Sequence, residues 1–255
     1  VSIPGPAGPI PARLYAPAAA GAVLPTVAYF HGGGWVQGDL ETHHGLCARL
    51  ARHAGVLVVA IDYRLAPEHK FPAAVEDCVA AYRWLRVQGR DLGVDVSRVA
   101  VAGDSAGGNL SAVVSQVVGP PLPTCQVLIY PAVDFTMDTD SHRELVDAHV
   151  IPRDRIAWYA QQYLRTEADK ADLRASPMRA ASLAGQPPTM IVTAGFDPLR
   201  DEGRAYADRL REAGVDVVYR EYPGQIHAFV SLTKAIPQGM ACTLEIAEYL
   251  RKRLA

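Results

Sequence analysis

The most constraining feature of the chain is a serine set between glycines, Gly-Asp-Ser-Ala-Gly at 103–107, placed directly after the apolar run 98–102. That run reads as a buried strand. After the serine, Leu110, Val113, Val114 and Val117 recur at helical spacing, and the Gly-Pro-Pro at 119–121 stops the helix. A strand must therefore turn into a helix so sharply that only glycines fit beside the serine, whose hydroxyl is left at the tip of the turn. Ser105 is the expected nucleophile. The plainer alternative is a glycine-rich turn with a capping serine.

A serine hydroxyl is a weak nucleophile at neutral pH. It needs a base within hydrogen-bond reach, a third group to orient that base, and donors aimed at the oxyanion that develops on the attacked carbonyl. The donors come first in the chain. Residues 26–30 read as a buried strand, and His-Gly-Gly-Gly follows at 31–34. Consecutive glycines leave backbone N–H groups uncovered by side chains. The N–H groups of Gly33 and Gly34, joined by that of Ala106, are the expected oxyanion hole, with Gly32 serving the turn and His31 bracing the loop. Trp35 and Asp104, adjoining the glycine loop and the nucleophile, are expected to contact substrate.

In a strand–turn–helix arrangement of this kind the acid and then the base follow the nucleophile in the chain. His31, His43, His44, His53 and His69 precede Ser105, and His142 and His149 lie in a polar stretch with no strand before them. His227 remains: residues 215–222 are strand-like, and the loop 223–226 delivers the imidazole near the sheet's end. Between Ser105 and His227, the strand-like run 188–194 turns out through Gly195 and Phe196 to Asp197, the first choice for the acid. Its other reading is a helix N-cap, with Pro198 starting the next helix. Asp134, after the strand-like run 125–130, is the rival, while Asp201 and Glu202 lie a turn into the helix and should point elsewhere.

With these residues in place, five segments together resemble the hormone-sensitive-lipase-like branch of the α/β-hydrolases, the bacterial family IV esterases. They are the stretch 31–39, Asp-Tyr-Arg-Leu-Ala-Pro-Glu-His at 62–69, Gly-Asp-Ser-Ala-Gly-Gly-Asn at 103–109, Asp-Pro-Leu-Arg-Asp-Glu-Gly at 197–203, and Gly-Gln-Ile-His at 224–227. The resemblance implies an α/β-hydrolase fold, a mostly parallel sheet with helices on both faces. It also implies carboxylic-ester hydrolysis through Ser105, Asp197 and His227, with no metal and no cofactor. Two departures accompany it. Ala228 stands where the family usually has glycine after its histidine. Family members also carry N-terminal cap helices ahead of a segment like 1–8, so those helices are expected to be missing here. An amidase, deacetylase, peptidase or lipase could use the same triad, and a non-catalytic receptor of this fold would be expected to have lost one of its members.

The chain's 255 residues fit one large α/β domain, 1–255, in which strand and helix signals alternate to the end. Strands are expected near 10–16, 26–30, 56–61, 98–102, 125–130, 189–194 and 215–222, and helices near 41–54, 73–88, 106–118, 200–213 and 239–253. Residues 134–187 interrupt the alternation and carry one amphipathic helix near 153–165 with Ile156, Trp158, Tyr159 and Tyr163. So long an interruption is usually functional, and it reads as a cap-like insertion with some of those aromatics facing the pocket. A net charge of −2 with interspersed signs gives no basic field for nucleic acid, and no apolar run is long enough to span a membrane. Cys47, Cys78, Cys125 and Cys242 are far apart in apolar settings, which predicts buried free thiols and a reducing, cytoplasmic location, and does not support zinc. The strand 215–222 is expected at an edge of the sheet, where it either pairs with a second copy to form a homodimer or is covered by the C-terminal helix.

Overall fold

A computed structural model of the chain describes residues 1–17 and 23–255. Eight strands among these residues form one sheet: β1 (Ser2–Gly5), β2 (Gly8–Tyr15), β3 (Leu24–Phe30), β4 (Leu57–Ile61), β5 (Val94–Asp104), β6 (Gln126–Ile129), β7 (Thr189–Phe196) and β8 (Val217–Ile226). Their order is β1-β2-β4-β3-β5-β6-β7-β8, with β1 and β2 antiparallel and every pair from β4 onward parallel. The α/β-hydrolase expectation holds.

Period-two alternation sends successive residues of these strands to opposite faces. Ala28, Phe30, Val59, Ile61, Val99 and Val101 pack with the helices α2 (Ala73–Gln88) and α3 (Ala106–Val117). Val27, Tyr29, Val58, Ala60, Ala100 and Ala102 pack on the other face with α1 (His44–Ala54) and α7 (Pro237–Arg253). A third cluster seats α6 (Arg200–Glu212) under β7 through Tyr206, Ala207 and Leu210. Because both faces are covered, β4 is buried at all five positions, as a parallel core strand should be.

The winding reverses at β3, which has β4 on one side and β5 on the other. A reversal leaves a crevice at the carboxyl ends of the two neighbouring strands, because their following loops diverge. The glycine segment leaves β3 at this point and Ser105 leaves β5, so topology alone brings them together.

Three of the differences from the sequence reading have a visible local cause. The hairpin β1–β2 begins at Ser2, since the short, glycine- and proline-rich run 2–9 carries little strand signal of its own. The first long helix starts at His44, because Asp39 caps a separate turn by accepting from the Glu41 and Thr42 N–H groups. The last strand starts at Val217 and runs through 223–226, which reads as a loop in the sequence. A register irregularity between Ala194 and Phe196 absorbs the Pro-Gly stretch, after which Phe196 pairs with Ile226. A methyl on Gly195 would strike the Pro223 carbonyl, so this bulged crossing requires glycine.

Residues 134–187 fold into α4 (Asp140–Glu144), α5 (Arg153–Tyr163) and single 3₁₀ turns at Glu167–Ala171 and Pro177–Arg179. Polar ties hold this segment to the sheet layer. Asn109 donates to the Ala132 and Ala175 carbonyls at 2.8 Å each, Gln116 donates to the Pro177 carbonyl, and Lys70 donates to the Gln161 and Leu164 carbonyls.

Candidate active site

Ser105 has φ 54° and ψ −118°, a conformation that costs a non-glycine residue about 1–3 kcal/mol and persists only where its surroundings force it. The forcing contacts are visible. A methyl on Gly103 would meet the carbonyl oxygens of Gly107 and Phe30, and one on Gly107 would meet that of Phe30. The Ser105 N–H is held at 2.8 Å from the Ile129 carbonyl of β6.

The register of β7 with β8 delivers the other two residues side by side, since Asp197 directly follows Phe196 and His227 directly follows its partner Ile226. His227 Nε2 lies 2.9 Å from Ser105 Oγ, and His227 Nδ1 lies 2.6 Å from Asp197 Oδ2. Both Asp197 and His227 are buried. The second oxygen of Asp197 accepts the Leu199 N–H at 2.9 Å, so the helix-capping reading and the acid position coexist in one carboxylate. The ring of Tyr130 packs on His227 with centroids 4.6 Å apart. The rival, Asp134, accepts from the Thr136 N–H and faces Arg179 at 3.5 Å instead.

Across from Ser105, the glycine loop is specified at each step. Gly33 and Gly34 have φ 127° and 62°. A methyl on Gly33 would strike the Gln37 carbonyl, and one on Gly34 would strike the Tyr159 ring. Among the described residues their N–H groups donate to no other protein group. Ala106 opens α3, where first-turn N–H groups have no helical acceptor. Gly33 and Gly34 line the same cavity as Ser105, and Ala106 directly follows Ser105 in the chain. His31 braces the loop, as expected: its Nδ1 meets the Gly32 carbonyl at 2.9 Å, and Tyr63 stacks on its ring and donates to its carbonyl at 2.6 Å. Burial lowers the His31 imidazole to about 4, so it is neutral.

Asp104 has a second engagement besides the substrate contact expected of it. The residue lines the cavity, but its carboxylate is engaged within the protein. Oδ1 accepts the Tyr29 hydroxyl at 2.6 Å and the Gly32 N–H at 3.1 Å, and His43 Nε2 lies 3.2 Å away. Burial alone would push this carboxyl up, yet His43 and Tyr29 hold it down at about 2. Trp35 also lines the cavity, with its indole stacked on Tyr163 at 4.6 Å between centroids.

The cavity above Ser105 has a volume of about 450 Å³. Its far wall comes from the interruption at 134–187, through Phe135, Met137, Ile151, Ile156 and Tyr159. Of the aromatics singled out on α5, Tyr159 faces the cavity, Tyr163 is core, and Trp158 is turned half outward. His142 and Glu202 also line it, 3.6 Å apart, and burial raises the Glu202 carboxyl well above its ordinary value. The expectation that Glu202 points elsewhere is overturned, and His142, set aside for want of a preceding strand, is brought to the cavity as well. Neither follows a strand, and only the tertiary meeting of α4 with α6 brings them together.

A family model described as the alpha/beta hydrolase fold matches residues 27–231. The chain belongs to that family. Within the α/β-hydrolases it is a member of the hormone-sensitive-lipase-like branch, as the motifs implied. The carboxylic ester hydrolase LipN of Mycobacterium tuberculosis is 47% identical over 264 residues, covering all of this chain and 70% of LipN. An ethyl acetate hydrolase of Pseudomonas putida is 37% identical, over 96% of this chain and 79% of its own. Among solved structures, an esterase of Pyrobaculum calidifontis superposes with a TM-score of 0.96 at 45% identity, covering all of this chain and 85% of that one.

Proposed function

We propose that this α/β-hydrolase cleaves short- to medium-chain carboxylic esters through an acyl-enzyme on Ser105, with His227 as proton carrier, Asp197 as its orienting acid, and Gly33, Gly34 and Ala106 as the oxyanion hole. The observation that carries the reading is the unbroken chain Ser105 Oγ–His227 Nε2 (2.9 Å) and His227 Nδ1–Asp197 Oδ2 (2.6 Å), in a cavity that Gly33 and Gly34 also line. The names of the relatives, a carboxylic ester hydrolase and an ethyl acetate hydrolase among them, agree with it.

Ser105 Oγ bonds to the ester carbonyl carbon while its proton passes to His227 Nε2 and the carbonyl π pair moves onto oxygen, facing the three N–H groups. Collapse breaks the bond to the alcohol oxygen, which takes the proton from His227 and leaves. Water then repeats the sequence. It gives its proton to His227, bonds to the acyl carbon, and displaces Ser105 Oγ, which recovers the proton. Asp197 stays ionised throughout and stabilises the imidazolium. Preorganised donors in a buried site contribute most here, because they need no reorganisation as charge develops.

A cavity of about 450 Å³ lies toward the lower end for small-molecule sites, and its apolar wall from 134–187 fits a short or medium acyl chain. We read the chain as one domain with that segment as a cap-like insertion. The test is hydrolysis of p-nitrophenyl esters of increasing chain length by the wild type and Ser105→Ala. Rates should be highest for short to medium acyl groups, and the variant should lose at least about 10³-fold in kcat at unchanged melting temperature. A folded Ser105→Ala protein with near-normal rates overturns the reading.

Two further readings accompany it. Among the described residues β8 pairs with β7 alone and ends the sheet, and α7 packs chiefly against α1 while reaching β8 through Glu245, 3.5 Å from Arg220. An unpaired edge of ten residues supports a homodimer that continues the sheet through two copies of β8. Sedimentation should give a dimer mass that Val217→Pro lowers. The four cysteines are buried and unpaired, which supports a reducing, cytoplasmic setting. No helix among the described residues is long and apolar enough to cross a membrane.

A further inference from the structure

His43 is not in the triad, precedes the nucleophile, and stands at the start of α1, outside the glycine segment. Its imidazole nevertheless lines the active cavity with Nε2 3.2 Å from the Asp104 carboxylate. Asp104 is the residue immediately before Ser105, and it accepts the N–H of Gly32, the residue immediately before the two proposed oxyanion donors. One carboxylate thus connects the nucleophile turn after β5 to the glycine loop after β3. The approach is close enough that a methyl on Gly32 would strike the Asp104 carboxylate.

From this geometry we infer that His43 is a positioning residue for the oxyanion hole: it holds the Asp104 carboxylate in the orientation that anchors Gly32, and Tyr29 completes the same anchor. Gly32 N–H also lies 3.3 Å from His43 Nε2, but a nitrogen that donates to Asp104 cannot accept from Gly32. Nε2 faces the Asp104 carboxylate and acts as its donor, which leaves the carboxylate to take Gly32 and Tyr29; burial disfavours the charged imidazole, yet Asp104 raises His43 above its ordinary value. The other ring nitrogen meets Thr42 Oγ1 at 3.0 Å, which fixes the ring plane. A buried carboxylate deprived of this partner protonates or rotates, and Gly32 is released with it.

The inference rests on the esterase reading and makes a narrower claim. Misplacing the donors by tenths of an ångström weakens binding of the oxyanion, which exists only at the transition state, more than binding of the neutral ester. Two measurements separate the cases: kinetics on p-nitrophenyl butyrate, and inhibition by an alkyl trifluoromethyl ketone. Ser105 Oγ adds to the ketone carbon, its proton goes to His227, and the carbonyl oxygen becomes an oxyanion. His43→Leu should lower kcat by about 10- to 100-fold with KM within about threefold, and weaken the ketone by a matching factor. His43→Gln, which keeps a donor near the Nε2 position, should recover most of both. If His43→Leu fails to fold, Tyr29→Phe removes a donor from the same carboxylate and should give the same split at about fivefold. A rise in KM at unchanged kcat and ketone affinity overturns the inference, as does a Gln variant no better than Leu. A wild type that neither hydrolyses the ester nor binds the ketone overturns the esterase reading instead.

Discussion

Around Ser105 nearly every backbone position is dictated by contact. Gly103, Gly107, Gly32, Gly33 and Gly34 each sit where one added methyl would collide with a neighbouring carbonyl, carboxylate or ring. Across the cavity, at Met137, Ile151 and Ile156, the wall is made of flexible apolar side chains on short helices and turns. The first region fixes atoms to tenths of an ångström on the ends of a buried sheet, and the second encloses space. Chemistry and substrate choice are therefore separable here, and substitutions in the two regions should differ in kind.

The sharpest way to break that separation is to compare two aspartates. Asp197→Asn should cost about 10³- to 10⁴-fold in kcat/KM, because the amide cannot hold the imidazole in the required tautomer. Asp134→Asn, on the roof side, should cost only a few-fold. Equal losses would erase the distinction. Gly34→Ala comes next, at about 10²- to 10³-fold in kcat, the scale of a lost oxyanion donor. Here the two regions touch, since the new methyl meets Tyr159.

A third prediction concerns the brace under the loop. With its imidazole lowered from an ordinary 6.5 to about 4, His31 binds a proton more readily when unfolded. Its contribution to stability is therefore full above about pH 6.5 and is lost as pH falls through 4, on the order of 3 kcal/mol at most. Urea unfolding between pH 7 and 4 should show this loss, and His31→Asn should flatten the slope. Smaller still, Ile156→Ala should change the ratio of hexanoyl to acetyl ester turnover by up to about 10-fold, with the acetyl rate within about threefold. A large loss on the acetyl ester would mean the roof also sets the chemistry. The smallest effect is at Ala228, whose φ of 66° is one that glycine adopts without strain. Ala228→Gly should raise stability by about 1 kcal/mol or less, partly offset by the greater freedom of the unfolded glycine.

The same contrast explains what could be read from the sequence. Ser105, Asp197 and His227 were legible as candidates because each comes within about five residues of the end of a strand-like run, and strand ends in a parallel sheet converge. The glycine segment was legible because steric exclusion selects one residue type. The internal partners of Asp104 were not legible, because its position beside the nucleophile says nothing about which way its carboxylate points. That depends on Gly32, Tyr29 and His43, which meet it only through the pairing of β3 with β5. His43, His142 and Glu202 left no local signal for the same reason. The Pro-Gly stretch at 223–224 reads as a loop by composition, and only the bulged crossing with Gly195 keeps it in β8.

The central claim is that Ser105 is the single reacting nucleophile in a prebuilt oxyanion site, and covalent labelling tests it most directly. Diethyl p-nitrophenyl phosphate should phosphorylate the protein at one site per chain, releasing p-nitrophenol. Peptide mapping should place the diethylphosphoryl group on Ser105, with esterase activity lost in proportion to labelling. Label on another residue, or activity that survives full modification of Ser105, would contradict the account.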